Sequence, residues 1–293
     1  MSDKRYRALV VFLVLVFAIS WLLDLTAWIL RNQPMAIGLG LLLVMWVPGA
    51  AAIFTTRVIL HEPVKTLGLH RGTLPSYLAA YTLPIIFVFL SYLLTYKIGW
   101  AKADWQLTAI SGQPGSKAVF NPVLIRTQLI ISSVTWVIIF NSLFTLGEEI
   151  GWRGFLYGYL VREGVRWPAL KTNFIWGLWH APLIMMGLNY PGYPLSGVIT
   201  MIVFSVLLGW VLCWLRNISG SILPPVLAHA ALNAQGRGLL PLVYPVQNPL
   251  LGGPAGLVGI VLLIFLFLTI FFTKHVIGKR ALHTWGGNNE KMR

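Results

Sequence analysis

Three short segments combine carboxylate, cationic, imidazole and amide side chains at one-turn helical spacing: Glu148-Glu149-Ile-Gly-Trp-Arg153, Trp176-Gly-Leu-Trp-His180 and His229-Ala-Ala-Leu-Asn233. In the first segment, Glu149 and Arg153 are four residues apart, so on a helix they share a face and can pair. Glu148 points about 100° away from Glu149 and has no basic residue one turn further on. A carboxyl group without a cationic partner is suited to act as a general base or acid.

The two histidine segments each allow a structural and a chemical interpretation. A lone histidine such as His180 is more often a core residue bonded to a carbonyl than a catalytic group. In the Ala-rich third segment, His229 and Asn233 could be polar contacts between helices or two donors directed at one point. Together, one free glutamate, two histidines and one asparagine supply a base for water and hydrogen-bond donors for an oxyanion, which a hydrolytic site requires.

The elements that must hold these residues are membrane-spanning helices. The chain is 57% apolar and 10% charged, whereas a soluble chain carries about a quarter charged residues. Its long apolar runs predict an all-α polytopic membrane helix bundle with a buried polar active site and about eight transmembrane helices. These segments cover residues 8–30, 36–58, 77–97, 128–159, 172–189, 194–215, 219–236 and 255–273.

The polar clusters are expected to lie at a similar depth in this bundle. Along helices that rise 1.5 Å per residue, the distance to a basic residue at the same membrane face is roughly 20 Å for Glu149, 14 Å for His180 and 20 Å for His229. The chain is predicted to comprise three regions: an N-terminal transmembrane region of three spans plus a loop (1–127), a catalytic core (128–240), and a C-terminal span with a cytoplasmic tail (241–293).

The charges of the loops predict an orientation. Of the 22 Lys and Arg residues, 16 fall on the side of the N-terminus and 6 on the other side. The positive-inside rule then places both termini in the cytoplasm, in what we expect to be a bacterial cytoplasmic membrane. The scattered cations form no binding stripe, so nucleic acid is excluded as a partner. Asp24, near the far end of the first segment, is expected to be interfacial or to pair with Arg31 rather than to act in catalysis.

The three motifs resemble those of the CPBP family of intramembrane proteases, which includes CAAX prenyl-endopeptidases, bacteriocin-processing proteins and Abi proteins. The family pattern is Glu-Glu-x-x-x-Arg, then Phe-x-x-x-His, then His-x-x-x-Asn, and the resemblance covers about residues 140–236. One position departs from the pattern, because Trp176 stands where the family has Phe. An aromatic ring is retained there, so a wall or packing role is expected to survive.

The resemblance implies hydrolysis of a peptide bond within the membrane, in a membrane-bound or lipidated, CAAX-like substrate. It implies that Glu148 and His180 activate water and that His229 and Asn233 stabilise the oxyanion. The supporting residues would be Glu149, Arg153 and Trp176. We expect the substrate to be presented from the cytoplasmic side.

The resemblance leaves the cofactor open, because the family is often labelled metalloprotease. A divalent metal such as zinc would be held by Glu148, His180 and His229. The usual zinc-protease spacing, with two histidines one turn apart and a glutamate between them, is absent. A metal-free Glu–His pair is therefore the preferred expectation.

Two other function classes remain open. A proton-coupled transporter also uses intramembrane Glu and His, but it predicts an internal repeat, and none is found. A non-catalytic membrane immunity protein or chaperone could keep the motifs as contacts between helices. The sequence indicates membrane lipid as a partner but neither the oligomeric state nor the role of loop 98–127.

Overall fold

The computed structural model describes residues 3–111 and 121–277, so the remainder of loop 98–127 and of the C-terminal tail lies outside the described residues. Within these ranges the chain is helical and forms no β-strand beyond one isolated bridge between Ala101 and Val246. The predicted all-α class is confirmed, and a helical membrane bundle fits the structure. The division into three regions stays a prediction.

The principal helices of the described chain are numbered in order. They are α1 (Asp3–Ile29), α2 (Pro34–Phe54), α3 (Leu74–Lys97), α4 (Pro122–Val134), α5 (Trp136–Arg162), α6 (Pro168–Trp179), α7 (Pro194–Ser219), α8 (Leu223–Gly236) and α9 (Leu257–Ile277). A π-helical turn, Thr55–Leu60, extends α2, and a second π-helical stretch, Ile150–Leu156, lies inside α5. Short helices occur at Val64–Leu67, Thr108–Ser111, Ala181–Met185 and Leu240–Val243.

Two of the predicted membrane segments are broken in the structure. Segment 128–159 is interrupted at Thr135, whose backbone is not helical, and α4 and α5 meet there at 42°. Segment 172–189 is interrupted at His180, where α6 ends. Pro182 explains the second break, because a proline ring inside a helix collides with the carbonyl group four residues earlier.

By length and apolar composition, fewer helices of the described chain qualify as membrane spans than the eight that the sequence predicts. Four helices of the described chain are long and apolar enough to cross a membrane, or five if the bent pair of α4 and α5 is one span. Helices α6 and α8 have 12 and 14 residues, so at 1.5 Å per residue each is about 20 Å long. That is less than the roughly 30 Å hydrocarbon thickness, and the count of eight stays a prediction.

The two ends of the bundle differ. At the end where α1 begins and α5 ends, which we call the basic end, Arg5 pairs with Glu163 at 2.7 Å and Arg162 pairs with Glu62 at 2.9 Å. At the opposite end, the loop end, residues 98–111 pack against residues 237–256.

The loop end is held together by backbone and apolar contacts. The Asp104 backbone N–H donates to the Val243 carbonyl at 2.7 Å, and the fully buried Leu107 packs against Leu239 and Val243. The Asp104 carboxylate accepts hydrogen bonds from the hydroxyl and backbone N–H of Thr108, and these bonds lower its pKa. Residues 98–111 of the loop whose role the sequence left open therefore pack as a cap at this end.

Helices α2 and α5 cross at glycines immediately before the acidic pair. A Cβ atom added at Gly49 would lie 2.7 Å from the carbonyl oxygen of Gly147, which is closer than real Cβ contacts allow. Small residues at such crossings let two helix backbones approach closely. This crossing sets the position of Glu148 and Glu149, which follow Gly147 directly.

We predict that Gly49→Ala lowers the stability of the protein by about 1–3 kcal/mol, because the added methyl group forces the two backbones apart. Thermal unfolding of the purified protein in detergent measures the effect. Gly158→Ala is the matched control, since a Cβ atom there meets nothing within 4 Å. An equal loss of stability in both variants would contradict the role given to this crossing.

Candidate active site

The predicted pair of Glu149 and Arg153 forms and is completely buried. The Arg153 Nη1 atom lies 2.9 Å from Glu149 Oε1, and neither side chain has any solvent exposure. Arg153 also donates from Nη2 to the Asn173 side-chain oxygen at 3.2 Å. The sequence analysis missed Asn173, although an asparagine inside an apolar helix beside two of the motifs was the signal that could have identified it.

The imidazole of His229 is bonded to the same carboxylate. Its Nδ1 atom lies 2.9 Å from Glu149 Oε1, which therefore contacts both Arg153 and His229. A carboxylate accepts hydrogen bonds, so Nδ1 of His229 is the donor and Nε2 is the atom left for chemistry. The spacing of the motifs did not indicate this link, because it joins residues that are 80 positions apart.

Trp176 contacts four other residues of the site. Its indole N–H donates to Glu148 Oε2 at 2.9 Å, and the Arg153 guanidinium lies 4.3 Å from the centre of its ring. The rings of His180 and His229 stand edge-on to it at 5.6 and 5.4 Å. Trp176 therefore does more than form a wall, because it orients Glu148 through a hydrogen bond that a phenylalanine could not make.

His180 is oriented by the backbone. Its Nδ1 atom lies 2.9 Å from the carbonyl oxygen of Trp176, and since that oxygen can only accept, Nδ1 carries the proton. Nε2 of the neutral ring then has a free lone pair, which can accept a proton. The bond to a carbonyl group that is expected of a structural histidine is therefore present. It involves only Nδ1, so Nε2 is available for chemistry, and the ring lines a cavity.

A cavity of about 560 Å³ brings the four predicted site residues together. Its lining includes Glu148 from α5, His180 at the end of α6, and both His229 and Asn233 from α8. The remaining wall is largely apolar and includes Phe144. The Glu148 Oε1 atom and the Asn233 amide make no hydrogen bond to the described residues, so both are available to a molecule in the cavity.

The sequence analysis named Glu148, His180 and His229 as the residues that would hold a metal ion. Within residues 3–111 and 121–277, no group of three or more His, Cys, Asp or Glu side chains is arranged to hold a metal ion. The hydrogen bond from Trp176 also occupies one oxygen of Glu148. As the structure places them, Glu148, His180 and His229 are therefore not grouped as three metal ligands.

Asp24 lies outside the site. It is 1% exposed on the buried face of α1, and it does not line the cavity. The expected pairing with Arg31 is wrong, because Arg31 donates to the Trp28 carbonyl and stacks on the Trp28 ring. Neither carboxylate oxygen of Asp24 has a hydrogen-bond partner among the described residues.

Comparison with known families identifies the segment that holds the site. Residues 129–235 match the family model described as Type II CAAX prenyl endopeptidase Rce1-like. The match is consistent with a CPBP family protease, so the resemblance drawn from the three motifs is confirmed over this segment. The family implies a CAAX-type intramembrane endopeptidase. No curated protein matches the chain at a significant level.

We predict that Arg153→Met destabilises the protein by about 3–5 kcal/mol, because it leaves Glu149 as a buried charge without its cationic partner. The Glu149→Gln/Arg153→Met double variant should recover part of this loss, since it removes the uncompensated charge. Unfolding in detergent measures both effects.

The matched control is Arg162→Met, which breaks the ion pair with Glu62. Both side chains of this pair are partly exposed, at 43% and 29%, so the change should cost at most about 1 kcal/mol. Equal losses for Arg162→Met and Arg153→Met would show that the buried pair contributes no more to stability than an exposed one.

Proposed function

We propose that this integral membrane protein, whose residues 129–235 match the Rce1-like family, is an endopeptidase that hydrolyses a peptide bond of a membrane-associated or lipidated, CAAX-like protein or peptide precursor. The observation that carries the proposal is the meeting of Glu148, His180, His229 and Asn233 at one cavity. These residues come from three helices, and their types are those that peptide hydrolysis requires.

In the proposed reaction, Glu148 and His180 bind one water molecule between Oε1 and Nε2. The water gives a proton to the Glu148 carboxylate as its oxygen attacks the scissile carbonyl carbon. The tetrahedral intermediate then collapses, the C–N bond breaks, and Glu148 returns the proton to the leaving amine. The products are a new carboxyl terminus and a new amino terminus, and the site is regenerated.

The oxyanion of the intermediate is proposed to lie between His229 and Asn233. The Asn233 amide donates from its side-chain nitrogen, which has no competing bond to the described residues. His229 donates from Nε2 when the ring carries both protons, with the Glu149 carboxylate at Nδ1 as the counter-charge. Donors fixed in advance in this way stabilise charge that develops only during the reaction.

The two other function classes predict a different arrangement. A non-catalytic immunity protein or chaperone would need the polar side chains only as bonds between helices, yet Glu148 Oε1 and the Asn233 amide are unbonded at a cavity wall. A proton-coupled transporter would be supported by uptake in liposomes that Glu148→Gln abolishes. The cavity and the family match favour hydrolysis.

We predict that Glu148→Gln and His180→Ala each reduce cleavage at least about 100-fold, because general acid–base catalysis contributes about 10²–10⁴ in rate. Proteomic comparison of cells carrying wild type or Glu148→Gln identifies precursors that accumulate uncleaved, and the purified protein in detergent is then assayed on them. Glu163→Gln, which changes a carboxyl group at the basic end, serves as the control. Cleavage at the wild-type rate by Glu148→Gln and His180→Ala would end the proposal.

We predict that Trp176→Phe lowers kcat about 10- to 100-fold with little change in KM, the effect of losing a hydrogen bond to a charged group. Trp179→Phe is the matched control, because Trp179 lines the same cavity but its indole nitrogen has no hydrogen-bond partner among the described residues. Equal rates for the two variants would show that the indole N–H does not orient Glu148.

We also propose that the reaction requires no metal, so cleavage should persist in a strong chelator. The measurement is the rate of cleavage before and after dialysis against chelator. Loss of activity that a single divalent ion restores would overturn this part of the mechanism and would assign a ligand role to Glu148, His180 and His229.

A further inference from the structure

One part of the cavity wall follows the last turn of α8 and continues into the residue after it. Asn233, Gly236 and Arg237 all line the cavity. A Cβ atom added at Gly236 would meet nothing within 4 Å, so the space beside this turn is open. A peptide held at the proposed oxyanion site can therefore extend along the end of α8 toward Arg237.

The side chain of Arg237 is a free cation in this wall. Arg237 is the only Lys or Arg among the described residues that line the cavity. It is exposed, and its guanidinium group makes no hydrogen bond or ion pair with the described residues. Asp104 is the one acidic residue in 98–111 and 237–256, and its carboxylate accepts hydrogen bonds from Thr108 instead.

The charges of the cavity select the group that this cation can bind. The carboxyl and imidazole groups of the lining belong to Glu148, His180 and His229, and the remaining wall is largely apolar. An apolar peptide that fits such a wall carries one charge at its carboxyl end, the terminal carboxylate. Glu148 repels that group, whereas Arg237 attracts it and can bind both of its oxygens. The ammonium group of a peptide's amino terminus would be repelled by Arg237.

The distance from the oxyanion site to Arg237 fits a short C-terminal segment. Arg237 follows Asn233 by four residues, which is a rise of roughly 6 Å along α8. An extended arginine side chain reaches about 6 Å further, from the lengths of its bonds. Because an extended peptide advances about 3.3 Å per residue, the guanidinium group can meet a carboxylate about two to four residues beyond the scissile bond.

We infer that Arg237 binds the free C-terminal carboxylate of the substrate, so that the site selects a peptide bond a few residues from the end of a chain. The identification of the bound molecule as a peptide rests on the proposed function. Arg237 supplies the counter-charge that a terminal carboxylate needs beside an apolar wall. It is a binding residue and takes no part in the chemical step.

Peptide binding by an inactive variant tests this role without any need for cleavage. The protein is the full-length Glu148→Gln variant in a non-ionic detergent, which contributes no competing phosphate group. The probe is a fluorescent prenylated tetrapeptide of the CAAX pattern, prepared once as the free acid and once as the C-terminal amide. Fluorescence anisotropy measures the Kd of each peptide.

We expect the free acid to bind about 5- to 30-fold more tightly than the amide, between the strengths of an exposed ion pair and a hydrogen bond to a charged group. Adding Arg237→Gln should weaken binding of the acid to the level of the amide and leave the amide unchanged. Arg237→Lys should keep part of the preference, because it keeps the charge but not the two-point geometry. Lys102→Gln is the matched control and should keep all of it, since Lys102 is an exposed cation of the loop end that does not line the cavity.

Three results would overturn the inference: equal or unmeasurable binding of the acid and the amide, a preference for the acid that survives Arg237→Gln, and an equal loss for both peptides in Arg237→Gln. The last result is the one that a contact with lipid headgroups or a role in folding predicts. A failure of the proposed function is visible separately, as a precursor that the wild-type protein leaves intact, and it does not alter the comparison of acid with amide.

Discussion

The carboxylate of Glu149 is buried without any solvent exposure, and the site is built around the need to compensate its charge. One oxygen, Oε1, contacts both Arg153 and His229 at 2.9 Å. Because an uncompensated charge at this depth is costly, the acidic residue fixes α8 beside α5 and holds Arg153 over the ring of Trp176. Trp176 in turn donates to Glu148. The orientation of the proposed base thus follows from the neutralisation of its neighbour.

The sequence predicted which residues meet at the cavity better than it predicted how they are bonded to one another. One-turn spacing correctly paired Glu149 with Arg153, because both residues lie on one helix and the pairing is local. It could not indicate that His229 bonds to Glu149 or that Asn173 bonds to Arg153, because those bonds depend on how helices cross. Trp176 was expected only to form a wall or to pack, because the residue type does not reveal which group its indole N–H contacts.

The apolar runs predicted an all-α membrane protein but not where its helices break. Segment 172–189 was predicted as one membrane segment, yet α6 ends at Trp179 because Pro182 prevents the helix from continuing. Such a break leaves His180 at a helix terminus, where its Nδ1 atom bonds the Trp176 carbonyl and its ring can face a cavity. Hydropathy also carries no information on where a bundle is closely packed, as it is where Gly154 meets the Leu67 carbonyl group.

The central claim is that this site adds water across a peptide bond. The most direct measurement is cleavage of an accumulated precursor by the purified protein in water enriched in oxygen-18, followed by mass spectrometry of the two fragments. The account predicts one heavy oxygen in the new carboxyl terminus of the first fragment and none in the second fragment. Fragments that carry no heavy oxygen, or a precursor that stays intact although the protein is folded, would contradict it.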